Sequence, residues 1–129
     1  MYKDFKFWHN VKSFINNHKE RLYFYEKEVW FCSLGNNIGY EQDGKGLQYL
    51  RPVIVIKKFN NEVFWALPLT KTIKQGKYYH SLLLRGSVEN CAVLSQLRLI
   101  DSKRLKYKID YISTIDFDVI KQKLKLLLE

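Results

Sequence analysis

A chain of 129 residues, 47% hydrophobic and 16% aromatic, is long enough to bury one core and too apolar to remain disordered. Lys and Arg recur throughout the chain, so we expect no membrane span. Lys3, Lys6 and Lys12 interrupt the N-terminal aromatic residues, so we expect no signal peptide and therefore a cytoplasmic protein. The net charge of +9 favours a polyanionic partner, either a nucleic acid or an acidic protein, although solubility alone also accounts for it.

The first predicted element is a helix over residues 4–20. Asp4 is placed to cap it, and its apolar face is formed by Phe5, Trp8, Val11 and Ile15. We interpret residues 1–26 as an N-terminal helical extension that packs on the domain formed by residues 27–129.

From Glu28 the helical period disappears and short strands alternate with turns. Strands are predicted at Val29–Leu34, Pro52–Lys57, Val63–Leu69, Ser81–Leu84, Ala92–Leu97 and Leu105–Ile112. Asn60-Asn61 predicts a tight hairpin, Gly76 and Gly86 mark turns, and Asp101–Arg104 predicts a short helical turn. The last strand alternates, which places on one face Leu105, Tyr107, Ile109 and Tyr111.

The C-terminal segment returns to helical spacing. Ser113 and Asp116 form a capping arrangement before an apolar face that contains Phe117, Ile120, Leu124, Leu127 and Leu128. Short strands joined by Gly and Asn turns, with a helix at each end, predict a mainly β (α+β) fold built as a small twisted barrel.

The two cysteines, Cys32 and Cys91, lie in apolar segments and are predicted to be small buried hydrophobic residues. The sequence does not decide whether they form a disulfide, and a metal site would need more ligands than these two thiols.

Three polar residues stand at predicted junctions between loops and strands: Glu41, Arg51 and Thr70. RNA cleavage by the neighbouring 2′-hydroxyl requires a deprotonated nucleophile and stabilised phosphorane charge, and in principle no metal. Arg51 offers a fork of donors for phosphate oxygens, and Thr70 offers one more hydrogen bond. Glu41 either accepts a proton or holds Arg51 in place. Taken singly, each residue is more often an ordinary surface side chain.

Four motifs follow one another in the chain: Gly39-Tyr40-Glu41-Gln42, Arg51-Pro52-Val53-Ile54-Val55-Ile56, Leu67-Pro68-Leu69-Thr70 and the run from Val93 to Leu105. Together, over residues 27–126, they resemble the MazF/PemK family of toxin–antitoxin ribonucleases. The resemblance implies an SH3-like barrel of the MazF/CcdB type that forms a homodimer. It also implies a cofactor-free, metal-independent endoribonuclease that cleaves single-stranded RNA to 2′,3′-cyclic phosphate and 5′-hydroxyl ends, and an acidic antitoxin laid across the RNA groove.

The family's catalytic arginine and threonine correspond to Arg51 and Thr70, and its acid to Glu41. Because arginine stays protonated in proteins, charge stabilisation suits Arg51 better than proton abstraction. The loop over residues 43–50 covers the RNA groove in the family and is longer here, so RNA contacts are expected at Gln42 and Lys45, but cleavage specificity does not transfer. The predicted helix over residues 4–20 has no counterpart in shorter members.

A basic segment after Thr70 supplies the remaining candidates for RNA binding. Lys71 stands where many relatives have a small hydroxyl residue and offers a phosphate contact. Lys74, Lys77 and Tyr79 combine charge with an aromatic ring, as single-strand binding sites do, and the alternative is an ordinary charged loop. His80 is a candidate because an imidazole exchanges protons near neutral pH, although such a residue is more often a surface strand position.

Two other functions remain open from the sequence. A non-catalytic inhibitor of DNA gyrase, like the CcdB branch, would use the same barrel without the three catalytic residues. That branch uses an aromatic C-terminal end, which Leu126-Leu127-Leu128-Glu129 lacks. The other alternative is a nucleic-acid-binding module in which the catalytic set is idle.

Overall fold

The computed structural model describes residues 3–46 and 48–129. Met1, Tyr2 and Leu47 lie outside the described residues, and with them the start of the predicted extension and one position of the long loop. The described residues form two α-helices and seven strands: α1 (Phe5–Asn17), β1 (Glu28–Ser33), β2 (Leu50–Lys58), β3 (Val63–Thr70), β4 (Tyr79–Leu84), β5 (Val88–Val93), β6 (Arg98–Asp101), β7 (Leu105–Tyr111) and α2 (Thr114–Leu127). Short 3₁₀ turns at Leu94–Gln96 and Ser102–Arg104 flank β6.

The strands form one curled antiparallel sheet in the order β4-β5-β3-β2-β1-β7, with β6 beside β3. β3 has two partners on the same edge, because Val63–Ala66 pairs with β6 whereas Leu69 and Thr70 pair with β5. The predicted mainly β barrel with a helix at each end is confirmed. No helix in the described part of the chain is long and apolar enough to cross a membrane.

The predicted strand Ala92–Leu97 is wrong over its second half. β5 runs from Val88 to Val93, Leu94–Gln96 is a 3₁₀ turn, and β6 was not predicted. The turn is the corner at which the chain leaves one end of β3 and reaches the other. Leu94 is buried in either conformation, so its hydrophobicity does not distinguish a strand from a turn.

The predicted alternation along β7 is also wrong, although the strand itself is present. Its pairing with β1 contains two register shifts, and each shift exchanges the faces to which side chains point. Leu105 is therefore buried, whereas Tyr107 and Tyr111 are 49% and 71% exposed.

Both faces of the central strands are buried, which explains their continuous apolar runs. In β2, Ile54 and Ile56 pack toward α2, in a cluster with Phe117 and Ile120. The alternating residues of β2 pack inside the curl, in a cluster that contains Phe24, Trp30, Cys32, Leu34, Val53, Val55, Phe64, Ala66, Ile100 and Leu105.

Both cysteines are buried free thiols, which confirms the prediction that they are small buried hydrophobic residues. Burial raises the pKa of the Cys32 thiol far above its ordinary value, because the charged thiolate has no solvent around it.

The predicted helix caps are confirmed. The Asp4 carboxylate accepts a hydrogen bond of 2.9 Å from Phe7 N–H, and the Ser113 hydroxyl accepts one of 3.0 Å from Asp116 N–H.

Helix α1 packs on the loop that joins β1 to β2. Trp8 and Ile15 are buried in a small cluster with Tyr49, whose ring centroid lies 5.0 Å from that of Trp8. Gly35 lies directly beneath the Trp8 indole and has a φ of +78°. A side chain here would both overlap the indole and strain the backbone, so glycine is required for two reasons.

We predict that Gly35→Ala lowers the free energy of unfolding by about 3 kcal/mol, from overlap with Trp8 added to the strain of a positive φ. The matched control is Gly86→Ala, where φ is +75° and the new methyl group meets no atom within 4 Å. That control is expected to cost only about 1 kcal/mol. Chemical denaturation of both variants measures the difference, and equal losses would show that the Trp8 contact contributes nothing.

Candidate RNA-binding and catalytic site

Arg51 is the second residue of β2 and lies opposite Cys32 of β1. Its guanidinium reaches two backbone carbonyls from different segments. Nε donates to the carbonyl oxygen of Asp43 in the loop, and Nη1 donates to that of Leu69 in β3 over 3.0 Å. The side chain is therefore fixed in one orientation while other N–H groups of its fork stay available to a ligand.

The partial burial of Arg51 strengthens the electrostatic interactions of its charge. Burial lowers the pKa of Arg51, and the nearby Asp43 carboxylate opposes that shift. A cation that is partly removed from water interacts more strongly with a developing anion than a solvated one does.

Thr70 is the last residue of β3 and follows the carbonyl that holds Arg51. Its side chain is partly exposed, and its Oγ1 accepts a hydrogen bond of 3.2 Å from Thr72 N–H. Because that contact uses the oxygen as acceptor, the hydroxyl hydrogen remains free to donate. The structure thus brings Arg51 and Thr70 to the same end of the sheet, as expected from their motifs.

Glu41 is placed differently from the other two. It is exposed, and its carboxylate accepts a hydrogen bond of 2.9 Å from Ile38 N–H in the same loop. Among the ion pairs and hydrogen bonds of the described residues, none joins Glu41 to Arg51. The acidic residue that contacts Arg51 is Asp43, and Glu41 therefore does not hold Arg51 in this geometry.

Glu41 and Gln42 instead line a groove of about 540 Å³. Its other lining residues are Asn37, Tyr40, Pro68, Ser95, Gln96, Leu97 and Arg98. Tyr40 is 99% exposed at this groove, so its ring is open to stacking. We call this the Gln42 groove.

Gln96 fixes the loop that carries Glu41 and Gln42, and sequence reasoning missed it. Its Oε1 accepts from Gln42 N–H over 2.8 Å, and its Nε2 donates to the Tyr40 carbonyl over 2.9 Å. Asn37 adds a donor to the Gln42 carbonyl at 2.8 Å. Gln96 belongs to the last of the four family motifs, which was the available signal. No sequence signal could have revealed the role of Asp43, because it acts through its backbone carbonyl, which every residue type has.

The basic candidates after Thr70 lie on an exposed segment. Lys71, Lys74 and Lys77 are exposed, and the Lys74 ammonium lies 5.7 Å from the centroid of the Tyr79 ring. The Tyr79 carbonyl accepts from Lys123 of α2 over 2.9 Å. These residues present charge and an aromatic ring together, as a single-strand site requires.

Two further candidates have other contacts. His80 Nε2 lies 2.9 Å from the Asp116 carboxylate at the start of α2, so the imidazole faces the helix. Lys45 is exposed, and its backbone forms an isolated bridge with Leu50. In the described part of the chain, no cluster of three or more His, Cys, Asp or Glu side chains is placed to hold a metal ion.

Several solved structures of toxins and of toxin complexes are similar to this fold. MazF from Deinococcus radiodurans (Form-I) superposes with a TM-score of 0.67 at 20% identity, covering 80% of this chain and 94% of that one. MazE-MazF (Form-II) from the same organism gives 0.64 at 18% identity, with 82% and 96% covered. A mycobacterial endoribonuclease in complex with its cognate antitoxin gives 0.63 at 13% identity, with 82% and 95% covered.

At these identities the likeness establishes the fold. No curated protein sequence matches the chain. The family model described as PemK-like, MazF-like toxin of type II toxin–antitoxin system matches residues 25–128. That match spans most of the chain and includes the Gln42 groove, Arg51 and Thr70, so the protein belongs to the PemK-like, MazF-like toxins of type II toxin–antitoxin systems.

Proposed function

We propose that this toxin is an endoribonuclease that cleaves single-stranded RNA, including mRNA, without a metal ion or other cofactor. The observation that carries the proposal is the partly buried Arg51 guanidinium, held by the carbonyls of Asp43 and of Leu69, the residue before Thr70. Fixed donors of this kind stabilise charge that develops on a phosphate.

In the proposed reaction the 2′-oxygen attacks the adjacent phosphorus, so that the O2′–P bond forms and the P–O5′ bond breaks. The 2′-hydroxyl proton passes to a base, for which Glu41 is the candidate, and water protonates the leaving 5′-oxygen. Arg51 stabilises the phosphorane oxygens, and Thr70 donates a hydrogen bond to the scissile phosphate. The products carry a 2′,3′-cyclic phosphate and a 5′-hydroxyl.

The expected RNA path uses the surfaces around this pair. Gln42 and Lys45 contact RNA from the loop, while Lys71, Lys74 and Lys77 bind phosphates beyond Thr70. Tyr79 and His80 belong to the same proposed surface. A half-buried ring whose centroid lies 5.7 Å from the exposed Lys74 ammonium supports the stacking role of Tyr79 more directly than the contact with Asp116 supports a role for His80.

We predict that Arg51→Ala and Thr70→Ala each lower the cleavage rate of a long unstructured RNA, in EDTA, by about 100-fold or more. Arg85→Ala and Thr72→Ala are matched controls, because each removes the same group at an exposed position outside the proposed catalytic set and is expected to retain activity. Mapping the ends of the fragments checks the products.

Thermal denaturation separates lost chemistry from lost folding, since Arg51→Ala leaves two carbonyls without donors at a cost of about 1–3 kcal/mol. Wild-type protein that leaves diverse RNAs intact would refute the endoribonuclease. Inhibition of gyrase by that same protein would assign the CcdB-like function instead.

A second prediction concerns Gln96. In Gln96→Ala, the Gln42 amide loses its acceptor, and its hydrogen exchange is expected to accelerate about tenfold while cleavage slows about fivefold. Gln122→Ala, on the exposed face of α2, is the control with unchanged exchange and rate. Unaltered exchange at Gln42 would show that the Gln96 contact does not order the loop.

We also propose that an acidic antitoxin inhibits the toxin and that the toxin acts as a homodimer. The net charge of +9 supports the first part, as do the related structures that contain antitoxins. Where the neighbouring reading frame encodes a small acidic protein, that protein is expected to block cleavage, with an association rate that falls steeply as salt rises. Titration of that protein into the cleavage assay at low and high salt measures this, and undiminished cleavage at saturation would contradict it.

A further inference from the structure

A second groove, of about 340 Å³, lies between α1 and the 3₁₀ turn Ser102–Arg104. We call it the α1 groove. It is lined by His9, Lys12, Ser13, Ile15, Asn16, Asp101, Lys103 and Arg104. It belongs to the N-terminal extension, and the proposed catalytic mechanism does not use it.

The orientation of α1 follows from its two faces. Trp8 and Ile15 are buried against Tyr49, which turns the polar stripe at residues 9, 12, 13 and 16 toward the 3₁₀ turn. The Lys103 ammonium then donates to the Asn16 carbonyl over 2.9 Å and ties the end of the helix to the turn. Both walls of the groove are therefore held in place.

The charge of the groove is one-sided. Lys12, Lys103 and Arg104 are cations, and among the described residues of its lining the one carboxylate belongs to Asp101. Burial raises the pKa of Asp101, but hydrogen bonds from Arg21, at 2.6 Å, and from Lys103 N–H outweigh burial and leave that pKa below its ordinary value. The negative charge of Asp101 is thus already paired with the positive charge of Arg21, which does not line the groove.

β6 connects this groove to the Gln42 groove, and Arg104 is held between α1 and β1. Arg104 Nη1 donates to the Ser33 carbonyl over 3.0 Å, and its guanidinium lies 5.8 Å from the centroid of the Trp8 ring. Arg98 at the start of β6 lines the Gln42 groove, and Asp101 at its end lines the α1 groove. Burial lowers the pKa of Arg104, and the charge of Arg98 lowers it further. An anion that contacts both guanidinium groups offsets their repulsion.

We propose that the α1 groove binds phosphates of the RNA strand outside the scissile position, so that a strand leaving the Gln42 groove past Arg98 reaches Arg104 and Lys12. This inference rests on the proposed ribonuclease function. Cations, a hydroxyl and an amide suit a phosphodiester backbone, and such contacts are independent of base sequence. In the part of the lining that the structure describes, the one apolar side chain is that of Ile15, which is itself buried, so these residues offer a protein partner no pocket for the aromatic or aliphatic anchors that such interfaces use.

The test measures binding of 2′-O-methyl single strands, which lack the attacking hydroxyl, by fluorescence anisotropy. Strands of about 5 and about 12 nucleotides separate the Gln42 groove alone from both grooves together. Lys12→Gln and Lys12→Glu are compared with Lys6→Gln and Lys6→Glu, which change the same charge at an exposed position of α1 outside the groove lining.

Lys12→Gln is expected to weaken binding of the long strand about fivefold and to lower the slope of log affinity against log salt by about 0.7, the value for one phosphate contact. Lys12→Glu weakens it further, and neither variant alters binding of the short strand. The Lys6 variants keep wild-type affinity for both strands.

Equal affinity of the Lys12→Glu and Lys6→Glu proteins for the long strand would overturn the proposal, as would a loss confined to binding of the acidic antitoxin. Failure of the proposed function is distinguishable. If the expected Lys12 effects are seen but wild-type protein cleaves no unmodified RNA, RNA binding in the α1 groove is supported and the endoribonuclease activity is refuted.

Discussion

The hydrogen bonds of the Arg51 guanidinium are the interaction on which the proposed site depends. They join three segments that the chain visits separately: the loop before β2, the start of β2 and the end of β3. Pro52 has no backbone N–H to donate at this end of β2, and the neighbouring Arg51 side chain donates to carbonyls of the loop and of β3. The contacts that hold the sheet together here thus also aim the proposed catalytic cation, which links stability to activity at one residue.

The N-terminal extension is connected to the same point. Lys3 Nζ lies 2.9 Å from the Asp43 carboxylate, and Asn36 Nδ2 donates to the Asp4 carbonyl over 3.2 Å. Asp43 in turn accepts from Arg51 through its carbonyl. Long loops without secondary structure are usually mobile, and this one is anchored by α1 on one side and by Gln96 on the other. An extension that lies almost entirely before the start of the family match at residue 25 therefore supports the loop nearest the proposed chemistry.

The sequence predicted what depends on local pattern. Both helices and their caps follow from spacing and from Asp4 and Ser113, and the strands around Arg51 and Thr70 follow from apolar runs between turns. The corner at Leu94–Gln96 could not be predicted, because it depends on how β3 divides its edge between two partners. The bulges of β7 could not be predicted either, because they depend on how β7 pairs with β1, which is distant in the chain. Arg51 and Thr70 were found through their motifs, whereas the loop-fixing role of Gln96 depends on acceptors and donors of residues distant in the chain.

These contacts also separate two parts of recognition in the proposed function. Cations that are fixed by carbonyls or by packing, such as Arg51 and Arg104, can bind phosphates without reading bases, because every nucleotide has the same backbone. Base selection then has to come from groups that face the Gln42 groove and vary in chemistry. Gln96 holds that segment through its backbone, at Tyr40 and Gln42. Backbone anchoring leaves the side chains of the segment exposed to bases, so a substitution there alters which sequence is cut while the phosphate contacts keep the strand in place.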